Sequence, residues 1–324
     1  MRRTHNDPPT GGMTRRALLL FALMSLIWGI PYLFIRVAVE EISPATLVFA
    51  RTLIAALMLL PIALLRGDLR RVLARWRWVV AFAAAEVGGP WVLLGSAEQH
   101  LTSSLAGLLV AGVPLVGAVI AVTTRARHDM DGRGYVGLMV GLVGVAAMVG
   151  FNIGESDATA LLEMALVVVG FALGPAILAR RLSGLPSVGV MALALSLCAV
   201  AYAPIAFVQR PTVVPSPSVL AAVAILGVVC TATAFVLFAA LVEEMGPVRA
   251  TLILYVSPAV AASLGVVVLN EPVTVGMGLG LGLVILGSAL ATRGTRGTAS
   301  DSSAEVSSDP DTNPERGTAA EPAA

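Results

Sequence analysis

One acidic side chain interrupts a long apolar run: in AFAAAEVGGPWVLL (residues 81–94), Glu86 is the sole charge. A carboxylate there has three kinds of chemistry open to it. It can hold a substrate amine, carry a coupling proton, or pair with a buried cation such as Arg51, about six residues inside another apolar run. Arginine does not release a proton in a protein, so it cannot share the second role. Helical spacing sets Gly89, Pro90, Leu93 and Ala97 beside Glu86, where the glycine and proline leave room and free a backbone carbonyl. Four aromatic residues are candidates for a cavity wall: Trp28, Tyr32, Trp91 and Tyr255. Ser25, Gly29, Tyr32 and Arg36 share one helical face, with Trp28 beside it; an interfacial aromatic belt is the alternative for Trp28 and Tyr32. Trp91 suits either a cavity wall or plain packing. Tyr255 shares a face with Thr251, Pro258 and Ala262. Pro31, Pro114, Pro175 and Pro258 fall inside apolar runs and are candidate hinges or helix breaks.

Other chemistries find little support. Cys198 and Cys230 lie inside apolar runs, with neither disulfide-framework nor metal-site spacing. His100 and His128 fall in predicted loops, again without metal-ligand spacing. There is no glycine–lysine phosphate loop, so neither ATP hydrolysis nor any cofactor is expected. Glu40, Glu41, Glu98, Asp157, Glu243, Glu244 and Glu271 read as helix-end acids, mostly solvated. With a net charge of +1, no nucleic-acid partner is implied.

These residues must be held by elements suited to a bilayer. The chain is 57% apolar and 13% charged, against about half and a quarter in a soluble domain. A helix needs about 20 apolar residues to cross the hydrocarbon core. Ten such runs are present: 17–35, 45–65, 77–97, 103–123, 134–152, 160–179, 188–208, 218–241, 248–269 and 273–292. The predicted fold is therefore all-α and polytopic, with connections too short for an extramembrane catalytic domain. The first run follows Arg15 and Arg16 but continues through Trp28, Pro31 and Tyr32 without a cleavage site, so it is expected to be a retained helix. Every one of the 21 basic residues is arginine, and 18 fall in the termini or the loops on one side; only Arg36, Arg51 and Arg210 fall on the other. The positive-inside rule then predicts both termini in the cytoplasm of a cytoplasmic-membrane protein. Residues 1–16 form a tail; the Ser-, Asp-, Glu-, Pro- and Ala-rich stretch 294–324 is expected to be disordered.

The chain also repeats itself. Sliding it by 144 residues sets Pro31 on Pro175, Arg36 on Arg180, Pro114 on Pro258, Gly132 on Gly276 and Gly134 on Gly278. Five helices form each unit, 17–152 and 158–293, and an odd number inverts the second copy. Inverted repeats are typical of secondary transporters, where two similar halves exchange roles. Glycines at 134, 137, 141 and 144, and at 276, 278, 280 and 282, suit close helix packing within the molecule or across a homodimer.

Three stretches carry a family resemblance: SLIWGIPYLFIRVAVEEISPATLVFART (25–52), AEQHLTSSLAGLLVAGVPLVGAVIAV (97–122) and PVRATLILYVSPAVAASLGVVVLNEPVTVGMGLGLGLVILG (247–287). In them the chain resembles the drug/metabolite transporter superfamily, in its EamA-like, ten-helix branch. One departure stands out. The first half of such proteins usually carries a Glu-containing loop like LNEPVT (269–274), where this chain reads TTRARHDMDGRG (123–134). The resemblance implies export or facilitated movement of a small metabolite, such as an amino acid, across the bilayer. Alternating access would act on a cavity between the halves, lined from helices 1, 3, 6, 8 and 9. An uncoupled facilitator is the alternative within transport, and an intramembrane lipid-modifying enzyme the alternative outside it.

Overall fold

In lipid, each backbone N–H and C=O must be satisfied inside its own segment, so apolar runs of this length become helices. The computed structural model describes residues 14–123, 132–150, 158–246, 250 and 252–293. Ten helices account for most of them: α1 (Arg15–Ala38), α2 (Pro44–Leu65), α3 (Trp76–Ala97), α4 (Ser103–Ile120), α5 (Gly132–Gly150), α6 (Ala158–Arg181), α7 (Ser187–Val208), α8 (Pro217–Met245), α9 (Ile253–Leu269) and α10 (Val275–Ala291). Both tails, most of the 123–134 loop, Asp157, Arg249 and Thr251 lie outside the described residues.

Local sequence sets where the helices begin and end. Thr14, Ser43 and Thr102 each accept a hydrogen bond from a first-turn amide, those of Ala17, Thr46 and Leu105. Pro44 and Pro217 occupy the first helical position, where a missing N–H costs nothing. The chain leaves α8 at Gly246 with φ 79°, a conformation that favours glycine. It leaves α9 at Asn270, the single described non-glycine residue with positive φ.

The two halves are two inverted five-helix repeats, and the packing follows that relation. α2 lies along α7, α4 against α9, and α5 along α10, each pair joining equivalent helices. The contact of α3 with α6 is mirrored by that of α8 with α1, and α4 with α6 by α9 with α1. The glycine faces are used within the molecule. A Cβ added at Gly144 would sit 2.8 Å from the Gly280 carbonyl oxygen and 2.8 Å from the Val284 nitrogen. The α5–α10 approach is thus set by backbone touching backbone.

The equivalent prolines behave differently. The helical ladder lapses at Ile30 beside Pro31, and again at Ala111 and Gly112 ahead of Pro114. At the second site, Ala111 and Gly112 turn their amides to the Leu108 and Leu109 carbonyls, three residues back. The helices run unbroken through Pro175 and Pro258, so of the two candidate roles, hinge or helix break, the break is not formed there. A proline removes one ladder bond, and neighbouring helices can hold the segment straight across that gap.

The α5–α10 contact yields a direct test. Gly144→Val should lower the melting temperature in detergent, since an overpacked contact against rigid backbone costs about 1–3 kcal/mol. Gly282→Val, where an added Cβ meets open space, should leave it unchanged.

Candidate functional site

The strongest site lies around Arg51. It is seven residues into α2, so about 10 Å along the helix axis from Pro44. It is 6% exposed. A guanidinium keeps its charge when buried, so its surroundings must compensate. Its Nε donates to the Thr231 Oγ1 at 2.8 Å, and that hydroxyl donates onward to the Leu226 carbonyl at 2.7 Å. The guanidinium carbon sits 3.7 Å over the Trp91 ring, a desolvated cation–π contact worth about 2 kcal/mol or more. The two terminal nitrogens make no hydrogen bond to a described residue. Tyr32, Cys230 and Glu98 lie within electrostatic reach of the charge.

Two wide helical turns aim Trp91 and Thr231 at this cation. α3 widens to a π-helix at Ala83–Gly88, and α8 does so at Val228–Thr233, 145 residues on. A π-turn re-aims the side chains that follow it and is common at functional sites. The local causes differ. In α3, Pro90 lacks an amide, and the Tyr202 hydroxyl of α7 donates to the Gly88 carbonyl at 2.9 Å. In α8, the Thr231 hydroxyl itself serves the carbonyl five residues back. No sequence pattern announces the second case.

Beyond the arginine-poor ends of α3 and α9 lies a buried polar layer. Glu98 has 0% exposure, and neither carboxyl oxygen has a hydrogen-bond partner among the described residues. Burial pushes its carboxyl well above the usual range; Glu271 adds to this, and the Arg36 and Arg51 guanidiniums oppose it. Arg36 donates from Nη1 to the Glu98 backbone carbonyl at 2.5 Å, closing the C-terminus of α3. Glu271 accepts from the Ser103 and Ser104 amides, both at 2.8 Å, and from the Ser104 hydroxyl at 2.5 Å. It therefore seals the N-terminus of α4 across the two halves. The reading of Glu98 and Glu271 as solvated helix-end acids is thus corrected. In the five-residue connection between α3 and α4, Gln99 and His100 stay exposed while Glu98 and Leu101 turn inside.

The other predicted site residues are dispersed. Glu86 lies in the α3 π-turn, half-buried, with Oε2 enclosed and without a hydrogen-bond partner. Its carboxyl presses on Gly174 of α6, where any Cβ would collide with it. It faces α6 rather than lipid. The pairing of Glu86 with Arg51, one of the three alternatives, is not formed, because Arg51 is turned to Thr231 and Trp91 instead. Trp28 stacks on Phe238 of α8, ring centroids 4.9 Å apart, amid an apolar cluster from α1, α8 and α9. Tyr32 is buried against Gly107 of α4, where Ala261 of α9 also closes in. The small face of α4 is therefore used for packing. Tyr255 stands half-buried in the first turn of α9.

Sequence reasoning missed Thr231 and Glu98 as site residues, and also Glu163. The Glu163 carboxylate of α6 accepts from the Ser96 hydroxyl of α3 at 2.8 Å. A charge three residues inside the predicted span 160–179 was the available signal for it. Among the described residues, no three His, Cys, Asp or Glu side chains gather where a metal could bind.

Comparison with known proteins bears on the whole framework. The profile described as EamA-like transporter family matches twice, over residues 15–150 and 158–293. The inner membrane transporter YedA of Escherichia coli (strain K12), described as uncharacterized, is 30% identical over 288 residues, covering 85% of this chain and 90% of YedA. The likewise uncharacterized inner membrane transporter YhbE of the same strain is 27% identical over 210 residues, covering 58% and 62%. One solved crystal structure superposes with a TM-score of 0.62 at 22% identity, over 86% of this chain and 97% of that one. That likeness shows the fold alone.

Two substitutions test this geometry. Thr231→Val keeps the shape but strips the acceptor from a buried cation, and should cost about 1.5–3 kcal/mol in unfolding experiments, while Thr231→Ser restores most of it. Glu98→Gln should raise the melting temperature by an amount that grows from pH 5 to pH 8. The sign follows from the raised carboxyl: folding stability is fully present below the unfolded-state value and falls as pH rises, and glutamine removes that fall.

Proposed function

Because this chain belongs to the EamA-like transporter family, we propose that it is a secondary transporter exporting a small amino-acid-like zwitterion across the cytoplasmic membrane. The single observation that carries the substrate class is a buried guanidinium whose terminal nitrogens have no partner among the described residues, with a fully buried, unpartnered carboxyl nearby. Arg51 receives the substrate carboxylate, for which a guanidinium fork is suited. Glu98 receives the ammonium. Trp91 fixes the guanidinium plane, and Tyr32 supplies a further donor. The family and the named relatives are transporters, which supports transport over lipid chemistry.

The two inverted halves exchange conformations around this site, giving alternating access. Pro31 and Pro114 are the flexible points in that exchange, and Pro175 and Pro258 are their stiffer equivalents. The arginine asymmetry supports an orientation with both termini in the cytoplasm and the Glu98 layer toward the outside. Glu86 is the coupling group: an enclosed carboxyl with no cation beside it is suited to take up and release one proton per cycle. Trp28 and Tyr255 flank the route from the cytoplasmic side.

Purified protein should be stabilised by one or more zwitterionic amino acids in a thermal-shift screen. Arg51→Lys and Glu98→Gln should each weaken that binding about 10–100-fold, the loss expected for a charged hydrogen bond of about 1.5–3 kcal/mol. Binding that survives both changes, or that needs no amine on the ligand, would refute the assignment. In inverted vesicles, Glu86→Gln should abolish pH-gradient-driven uptake while leaving exchange intact. Gradient-independent flux in the unaltered protein would make it a facilitator.

A further inference from the structure

At the opposite, arginine-rich face, the ends of α3 and α6 enclose a recess of about 600 Å³. It is lined by Ala74, Arg75, Trp76, Arg77, Trp78, Arg180 and Arg181. Arg75, Arg77 and Arg181 bring three guanidiniums together there, with no acid among the described lining residues, so their mutual repulsion favours an anion between them. They come from two separate stretches of chain. Arg75 donates from Nη1 to the Arg181 carbonyl at 2.6 Å, which caps the end of α6 and ties the two stretches together. The Arg181 guanidinium lies 4.4 Å over Trp78 and that of Arg77 lies 5.7 Å over Trp76. The indoles thus hold two of the cations in fixed planes.

The tendency of arginine to collect on one side of a membrane accounts for their number, not for this convergence. Nor does the repeated fold require it. The 144-residue slide carries Arg75, Arg77 and Arg181 onto Val219, Ala221 and Val37. Only Arg180 has a basic equivalent, Arg36, and that side chain is committed to the Glu98 carbonyl. The recess therefore has no counterpart at the symmetry-related ends of α8 and α1.

We propose that this recess binds the phosphate headgroup of an anionic phospholipid. Guanidiniums match phosphate oxygens two at a time, and basic pockets between helix ends take lipid headgroups in membrane proteins. The neighbouring surface argues for a lipid rather than a soluble phosphate. Trp76 is 55% exposed and Trp78 39%, as aromatic side chains are at the level where headgroups meet acyl chains, and Leu73 and Val80 are exposed beside them. A headgroup held between the guanidiniums leaves its acyl chains along that apolar rim.

The test is native mass spectrometry and thermal melting of the full chain in detergent, titrated with phosphatidylglycerol, phosphatidylcholine or inorganic phosphate. Phosphatidylglycerol should bind saturably and raise the melting temperature, with phosphatidylcholine at least tenfold weaker and inorganic phosphate unable to compete. The double substitution Arg77→Gln with Arg181→Gln should weaken phosphatidylglycerol at least fivefold. The pair Arg66→Gln with Arg70→Gln removes the same charge from the same face outside the recess and should leave binding intact. Equal weakening by both pairs would mean diffuse surface charge and overturn the proposal, as would equal binding of phosphatidylcholine or competition by inorganic phosphate. Should the Arg77/Arg181 pair prove unstable, Arg77→Gln alone supplies the same comparison against Arg66→Gln.

Discussion

A cation that cannot be neutralised sits inside a bundle built for lipid, and the central architecture answers to it. Arg51 is held by one hydrogen bond and one aromatic face. An isolated buried charge is costly enough that partners must be supplied from elsewhere in the fold. They come from α3 of the first half and α8 of the second, each arriving through a widened turn. The contact between the halves is thus tied to that one charge.

The repeat supplies a symmetric frame and an asymmetric site. Both halves place a π-turn at equivalent positions, yet a proline underlies one and a threonine hydroxyl the other. The slide that relates the halves carries Arg51 onto Leu195 and Trp91 onto Phe235. The cation therefore has no twin, and its aromatic support has only a simpler counterpart. Helix interruption follows the same pattern, appearing at Pro31 and Pro114 but not at Pro175 or Pro258. The two halves thus share a topology but differ in local backbone.

The buried polar layer beyond α3 and α9 ties the halves in a second way. Glu271, from the loop after α9, satisfies amides at the start of α4. Arg36, at the end of α1, satisfies the carbonyl that ends α3. Both contacts place a charge where a helix terminus presents the opposite partial charge, and both exclude water from the groups they cover. Glu98 lies between them with a carboxyl that nothing described engages. A group so placed is sensitive to any ligand or proton that reaches it.

The sequence by itself determined the ten helices, their inverted repeat and the glycine faces, because each rests on a local count: apolar run length, charge in the loops, spacing of small residues. It also singled out Arg51 and Glu86 as costly buried charges and Trp91 as a candidate wall or packing residue. What it could not decide was which of them meet. A one-residue difference between an α-turn and a π-turn re-aims the side chains that follow, and that difference is fixed by packing against other helices. So the guanidinium found Thr231 rather than Glu86. For the same reason Glu98, read as a loop acid, was carried inside by a turn whose path only the assembled bundle sets.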